Sequence, residues 1–319
     1  MPPPLHIASL HHYPLKSAQG IALPQAQMNP LGLEQDRRWV LIDEAGNFLS
    51  QRTCPAIGAI HVVANGSELM ISLQGQTFIA LANPNHLISA IVWGDTVAEC
   101  FAVQPEIDLW LSSALGQSVR LVYCPDHAVR VVDERYAGEG HRTAFSDGFP
   151  LLVISQSSLD ELARQWGAPI DFRRFRPNLI VGGACEPFAE DSWRSIRIAN
   201  AVFDLVKPCS RCVIPSLDPD TQQQTDGFLK FLATTRRKED GKVYLGQNAV
   251  LRHASHSLDL EFTDDRLTID TRSHTQSLAE NLGLLHTKKD HKKDHVKNAP
   301  DFEHFIQPIL TVGQEIWVE

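Results

Sequence analysis

The chain contains no hydrophobic run of transmembrane length, no second Cys-x-x-Cys pair and no cysteine beyond position 212. The first absence argues against a membrane-spanning helix. The opening Met1-Pro2-Pro3-Pro4-Leu5-His6-Ile7 has neither the basic start nor the apolar core of an export signal, so a cytoplasmic location is expected. Six cysteines dispersed at positions 54, 100, 124, 185, 209 and 212 form no disulfide framework and suit a reducing compartment. An excess of positive charge is missing too. The formal net charge is -9, which argues against a nucleic-acid-binding surface but leaves room for a local basic pocket that takes an anionic ligand. No internal repeat is visible.

What is present describes a soluble globular protein. Hydrophobic residues make up 43% and charged residues 21%. At 319 residues the chain can bury a substantial core in two domains or in one large β unit. Strand signals dominate the first part: 6–10, 38–42, 60–64 and 69–73 are short, rich in β-formers and separated by turn chemistry at 43–47 and 64–67. Such density predicts barrels or sandwiches. Helical patterns occur at 105–115 and 157–166. In the second, Ser158 and Glu161 have capping-box spacing directly after the apolar run 151–154, and the helix start offers an anion seat. The pattern weakens between 125 and 148, which predicts a domain boundary or long loop, giving domains at 1–125 and 126–319. Beyond 250 the expectation is a hairpin at 258–270, a short helix at 276–285, a solvated Lys/His/Asp-rich loop at 286–297 and one or two closing strands at 309–318.

The most informative stretch is Pro208-Cys209-Ser210-Arg211-Cys212, which follows the β-branched run 201–206. A structural zinc site would need a second ligand pair that the sequence lacks. A thioredoxin-like pair wants a helix after its first cysteine, whereas Val213-Ile214-Pro215 does not read as one. Two further readings fit the stretch better: a pair of structural cysteines, or a single thiolate, Cys212, offered to a metal that brings its own organic ligand, with Arg211 beside it. Upstream, Arg173-Arg174-Phe175-Arg176-Pro177-Asn178 leads into the strand 179–181. If the extended pattern reaches back, Arg174 and Arg176 share a face and suit a phosphate; otherwise these are surface arginines paired with carboxylates. Lys16, Arg37 and Arg52 lie at strand ends and mean little individually.

Together the motifs resemble MOSC-domain proteins that carry an N-terminal β-barrel domain, the family of the amidoxime-reducing components and their bacterial counterparts. The resemblance rests on Tyr13-Pro14-Leu15-Lys16-Ser17, Gly32-Leu33-Glu34-Gln35-Asp36-Arg37, Val92-Trp93-Gly94-Asp95, Arg174-Phe175-Arg176-Pro177-Asn178, Phe188-Ala189-Glu190-Asp191-Ser192-Trp193, the Cys209–Cys212 segment, Asp218-Pro219-Asp220-Thr221 and Gly246-Gln247-Asn248, all in family order. It covers residues 5 to 250 and the final segment.

The resemblance implies a mainly β (α+β) protein, an N-terminal β-barrel domain followed by a MOSC β-barrel domain with a few helices, from whose compact ending residues 255–304 depart as an atypical insertion. It implies a molybdenum cofactor of the molybdopterin type with Cys212 as the metal ligand and Lys16, Ser17, Arg37, Arg176, Asn178, Ser210 and Arg211 as cofactor contacts, with Arg52 a further one in the basic hairpin segment. The implied activity is reduction of hydroxylamines, amidoximes and N-hydroxylated bases; Asp218 and Asp220, just beyond Cys212, are candidates for proton relay or substrate binding, or alternatively for capping a turn. Two departures stand out. Pro215-Ser216 replaces the Thr-Thr common in relatives, and no cysteine follows Cys212, so the C-terminal ferredoxin domain of many bacterial relatives has no ligands for an iron–sulfur cluster here. Electrons are then expected from a separate protein, a ferredoxin, flavoprotein reductase or cytochrome b5-like donor. The protein is expected to be a monomer with no membrane partner. The rival expectation is a sulfur or molybdenum-cofactor carrier that uses Cys212 without turnover; a third is a degenerate member that binds only small anions.

Overall fold

The computed structural model describes residues 2–252 and 307–319, which form one compact unit. The hairpin, helix, charged loop and insertion expected between 255 and 304 lie outside the described residues. Strands dominate, accompanied by four α-helices among the described residues, so the expected mainly β class holds. Short alternating segments such as Glu68–Leu73, whose Leu69, Ile71 and Leu73 turn inward, explain why: period two suits a pleated surface with one buried face.

The largest sheet has eight strands in the order Ile316–Val318, Ser195–Ile198, Ala201–Ser210, Tyr244–Leu251, Leu151–Ser155, Leu179–Gly182, His6–His12, Ile21–Leu23. Beside it lie a four-stranded sheet that pairs Trp39–Ile42 with Arg120–Tyr123 and a three-stranded meander, His61–Asn65, Glu68–Leu73 and Gln76–Leu81. The described strand orders run open from edge to edge and do not close into barrels. The first strand belongs with the second half of the chain. His6–His12 pairs antiparallel with Leu179–Gly182, so hydrogen bonds cross the boundary expected at 125.

The apolar core lies on both sides of this architecture. One cluster joins Leu15, Trp39, Leu41, Ile57 and the inner face of the meander to the helix Pro105–Leu115. A second fills one face of the eight-stranded sheet with Ile7, Leu10, Val153, Val181, Ile196 and Phe203. On the opposite face Leu159, Leu162, Phe228 and Leu232 pack the helices Gln156–Trp166 and Phe228–Arg236 against Ile154 and Ile180.

Two local expectations are corrected. The helix expected from 157 begins at Gln156, and its cap is Ser155, whose side chain accepts from the Ser158 N–H; Glu161 pairs instead with Arg164 and Gln165. The anion seat at this helix start is taken by the chain itself. Glu190, fully buried, accepts from the Ser155 and Ser158 hydroxyls, each at 2.7 Å, which satisfies a carboxylate that could not otherwise stay in the core. The arginine run is not extended either. Phe172–Arg174 is a 3-10 turn capped by Asp171, and Arg176 has a left-handed backbone with φ 56°, so strand alternation does not set the directions of Arg174 and Arg176.

Candidate cofactor site

The strand Ala201–Ser210 carries the Cys-x-x-Cys segment to the edge of a cleft. Its pairing with Tyr244–Leu251 is interrupted by irregularities at 205–207 and 208–210, and Pro208, which has no N–H to give to a ladder, sits at the second. The chain then leaves the sheet, with the Arg211 N–H donating to the Val243 carbonyl, and Cys212 stands half-buried in the following loop. The two thiols differ. Both line the cleft, but Cys209 also packs against the apolar cluster beneath the helices, and burial pushes its thiol up and keeps it protonated.

The cleft has a volume of about 120 Å³. Nine of the eleven residues expected at the site line it: Lys16, Ser17, Arg37, Arg52, Arg176, Asn178, Ser210, Arg211 and Cys212. The other two, Asp218 and Asp220, do not. The Asp218 carboxylate accepts from the N–H groups of Asp220 and Thr221 and from the Thr221 hydroxyl, which caps a turn, and it pairs with Arg174 at 3.2 Å. That geometry holds Arg174 and the loop and leaves the acid outside the cleft.

Charge in the cleft is one-sided. Among the described residues Lys16, Arg37, Arg52, Arg174, Arg176 and Arg211 face a single carboxylate, Asp147. Tyr13 organises two of them: the guanidinium groups of Arg37 and Arg176 each lie 4.2 Å from its ring centre, while its hydroxyl donates to the Pro177 carbonyl. Burial pushes that phenol up to about 12, so it stays neutral between two cations. Arg37 also donates to Asp36, to Asn178 Oδ1 at 3.1 Å and to the Arg176 carbonyl. Arg176 donates one Nη to the Ala18 carbonyl at 2.6 Å, whereas its other, Nη2, is buried without a partner among the described residues. Burial, with Arg37 beside it, lowers the Arg176 guanidinium to about 10. Leaving a cationic donor unsatisfied is costly, and the cost is removed by an anion that accepts from it.

Lys16 is almost wholly buried, with Nζ donating to the Phe145 carbonyl at 2.8 Å and to Asp147. Burial lowers its ammonium to about 8, against the Asp147 carboxylate that holds it up. Three strained backbone positions lie at the same place. Ser17, Arg37 and Arg176 all have φ between 48° and 69°, a region that non-glycine residues avoid and that is retained where surrounding structure enforces it.

Not every expected contact is free to hold a ligand. Asn178 spends its amide on the backbone, donating to the His11 carbonyl and accepting from the Leu152 N–H. Arg211 grips the carbonyls of Leu245 and Phe175 and so fixes the loop beside Cys212. Sequence reasoning missed Asp147 and Arg130, in the stretch read only as weakly patterned. Buried Arg130 donates to the carbonyls of Ala144, Ser146 and Asp147 and thereby shapes this wall of the cleft. A buried arginine in a loop poor in apolar residues gives no periodic signal; only its carbonyl partners reveal it.

Among the described residues no three His, Cys, Asp or Glu side chains converge as a metal site. A metal at Cys212 would therefore need an organic ligand of its own, and a soft sulfur beside the unsatisfied Arg176 Nη2 fits a soft metal carried by an anionic organic group.

Comparisons with known proteins agree with this chemistry. Residues 5–118 match the MOSC N-terminal beta barrel domain and residues 140–258 match the MOSC domain. The chain is 31% identical to mitochondrial amidoxime-reducing component 1 of Mus musculus, over 67% of this chain and 66% of that protein, and 29% identical to the Homo sapiens counterpart, over 67% of each. It is 28% identical to molybdenum cofactor sulfurase of Oryza sativa, over 76% of this chain but 32% of that protein. The chain thus spans about a third of the sulfurase and about two thirds of the amidoxime-reducing components it matches. It belongs to the MOSC-domain proteins that carry the MOSC N-terminal barrel domain.

Proposed function

We propose that this protein is a molybdenum-cofactor-dependent reductase of N-hydroxylated compounds, with Cys212 as the protein's ligand to the metal. The observation that carries the reading is the buried, unpartnered Arg176 Nη2 in a cleft where six cations face one carboxylate beside a free thiol. A pterin phosphate answers the cations and molybdenum answers the thiolate. When bound, such a cofactor would supply the two electrons that, with two protons drawn from solvent, remove the N–O oxygen as water.

The chain's own residues divide the remaining work. Lys16, Ser17, Arg52 and Arg176 would hold the anionic end. Arg37 is aimed by Asp36 and Asn178, and Arg211 fixes the loop that presents Ser210 and Cys212. Cys209 stays protonated in its apolar packing and needs no redox partnership with Cys212. Asp218 acts by holding Arg174 rather than by moving protons. In this reading a separate donor protein supplies the electrons. The working form is a cytoplasmic monomer.

The likeness to the rice sulfurase favours one rival, a sulfur or molybdenum-cofactor carrier. A carrier releases cofactor to an apo-enzyme and does not reduce hydroxylamine. The deciding experiment measures benzamidoxime reduction with a chemical electron donor by protein from a cofactor-competent host, for wild type and Cys212→Ala. Turnover in the wild type that disappears in the variant supports the reductase; cofactor transfer without turnover supports the carrier.

A further inference from the structure

The motif Val92-Trp93-Gly94-Asp95 has no part in the cofactor cleft itself, and its tryptophan is placed unusually. Trp93 and Gly94 are the two central residues of a tight hairpin between the strands Asn83–Val92 and Asp95–Ala102, with Val92 paired to Asp95. Both have positive φ, 56° and 92°. Such a turn is made best by Asn-Gly, and a bulky side chain at its first position carries a backbone cost of about 1–2 kcal/mol. The turn gives no reason for tryptophan.

The ring's surroundings give one. Its Nε1 donates to Asp147 Oδ1 at 3.3 Å, the Arg52 guanidinium lies 4.6 Å from its centre, and Phe48 packs beside it at 5.0 Å. Asp147 and Arg52 both line the cleft. With Arg52 over its ring, Trp93 nevertheless remains 53% exposed. A strained, pinned and solvent-facing indole at the cleft rim is a stacking platform.

We infer that Trp93 is a substrate-contacting residue that favours planar, conjugated N-hydroxylated compounds, aryl amidoximes and N-hydroxylated bases, over small aliphatic hydroxylamines. The inference rests on the reductase reading for its choice of substrate. The π-face of a conjugated amidoxime lies against the exposed indole while its N-hydroxy end enters the cleft; an aliphatic hydroxylamine has no such face to offer.

The test compares wild type with Trp93→Asn, which suits the left-handed turn better and so should fold, and with Trp93→Phe, which keeps an aromatic face. Calorimetric Kd values for benzamidoxime and N-methylhydroxylamine are measured on the full chain with its cofactor, together with kcat and KM for each and molybdenum content. Trp93→Asn is expected to weaken benzamidoxime binding roughly three- to tenfold relative to N-methylhydroxylamine, the range set by aromatic contact energies, with Trp93→Phe restoring most of it. An unchanged ratio, equal weakening of both probes, loss of molybdenum in Trp93→Asn, or no benzamidoxime binding by the wild type overturns the inference. Benzamidoxime that binds through Trp93 but is not reduced counts against the reductase reading alone.

Discussion

The buried Lys16 makes a pH signature that can be worked out in advance. Its ammonium is lowered from 10.5 to about 8 by burial. At about 1.4 kcal/mol per pKa unit, keeping this charge inside the fold costs about 3 kcal/mol relative to the unfolded chain. The sign follows from proton binding. Between pH 8 and 10.5 the unfolded chain holds a proton on Lys16 that the folded chain has released, so stability rises with pH across that window. Below pH 8 both states are protonated and the cost is present in full; above 10.5 it is gone.

The perturbation is Lys16→Met, which keeps the apolar stem and removes the charge. Urea unfolding of cofactor-free protein is measured from pH 7 to 9.5 for both proteins, and the difference between them cancels every other titrating group. That difference should shift in favour of wild type by about 2 kcal/mol between pH 8 and 9.5. The same deprotonation removes a cation from the cleft, so affinity for inorganic phosphate should fall in wild type as pH passes 8 and stay lower and flatter in Lys16→Met. A stability difference that does not change with pH would refute the assignment of Lys16 as a buried charge held for an anion.

Two further outcomes follow from buried polar groups. Glu190→Ala removes the carboxylate that both serines at the helix start donate to, and should lower unfolding free energy by about 3 kcal/mol in urea titrations, whereas Glu190→Gln should lose less because it keeps an acceptor. Arg176→Lys keeps a positive charge but loses the fork whose Nη2 stands without a partner, and should retain at least about tenfold less molybdenum on purification with an unchanged circular dichroism spectrum.

What the sequence made legible was periodic or motif-borne. Leu69, Ile71 and Leu73 announce their strand by alternation, and the helix Pro105–Leu115 by a proline at its first position and a glycine just past its end. The cluster of Lys16, Arg37, Arg176 and Cys212 was reached through motifs, since the pairing that draws the first strand against Leu179–Gly182 is long-range and leaves no local trace. Other features were hidden for definite reasons. The arginine run reads as strand because φ at Arg176 cannot be seen in a residue type that rarely adopts it. Ser155, Ser158 and Ser157 offer competing caps, and the choice is made by Glu190, thirty-odd positions away. Asp147 and Arg130 lie in a stretch without periodicity, and their roles consist of contacts with distant backbone and with Lys16.

The central claim is that Cys212 and the cations around it together form one cofactor site. The most direct measurement is molybdenum and pterin content of wild type, Cys212→Ala and Arg176→Lys, each produced in a cofactor-competent host and purified in parallel. The account predicts about one molybdenum per wild-type chain, the stoichiometry of a single thiolate ligand, and loss of metal in Cys212→Ala. Molybdenum retained in Cys212→Ala at the wild-type level, or absent from both proteins, would contradict it.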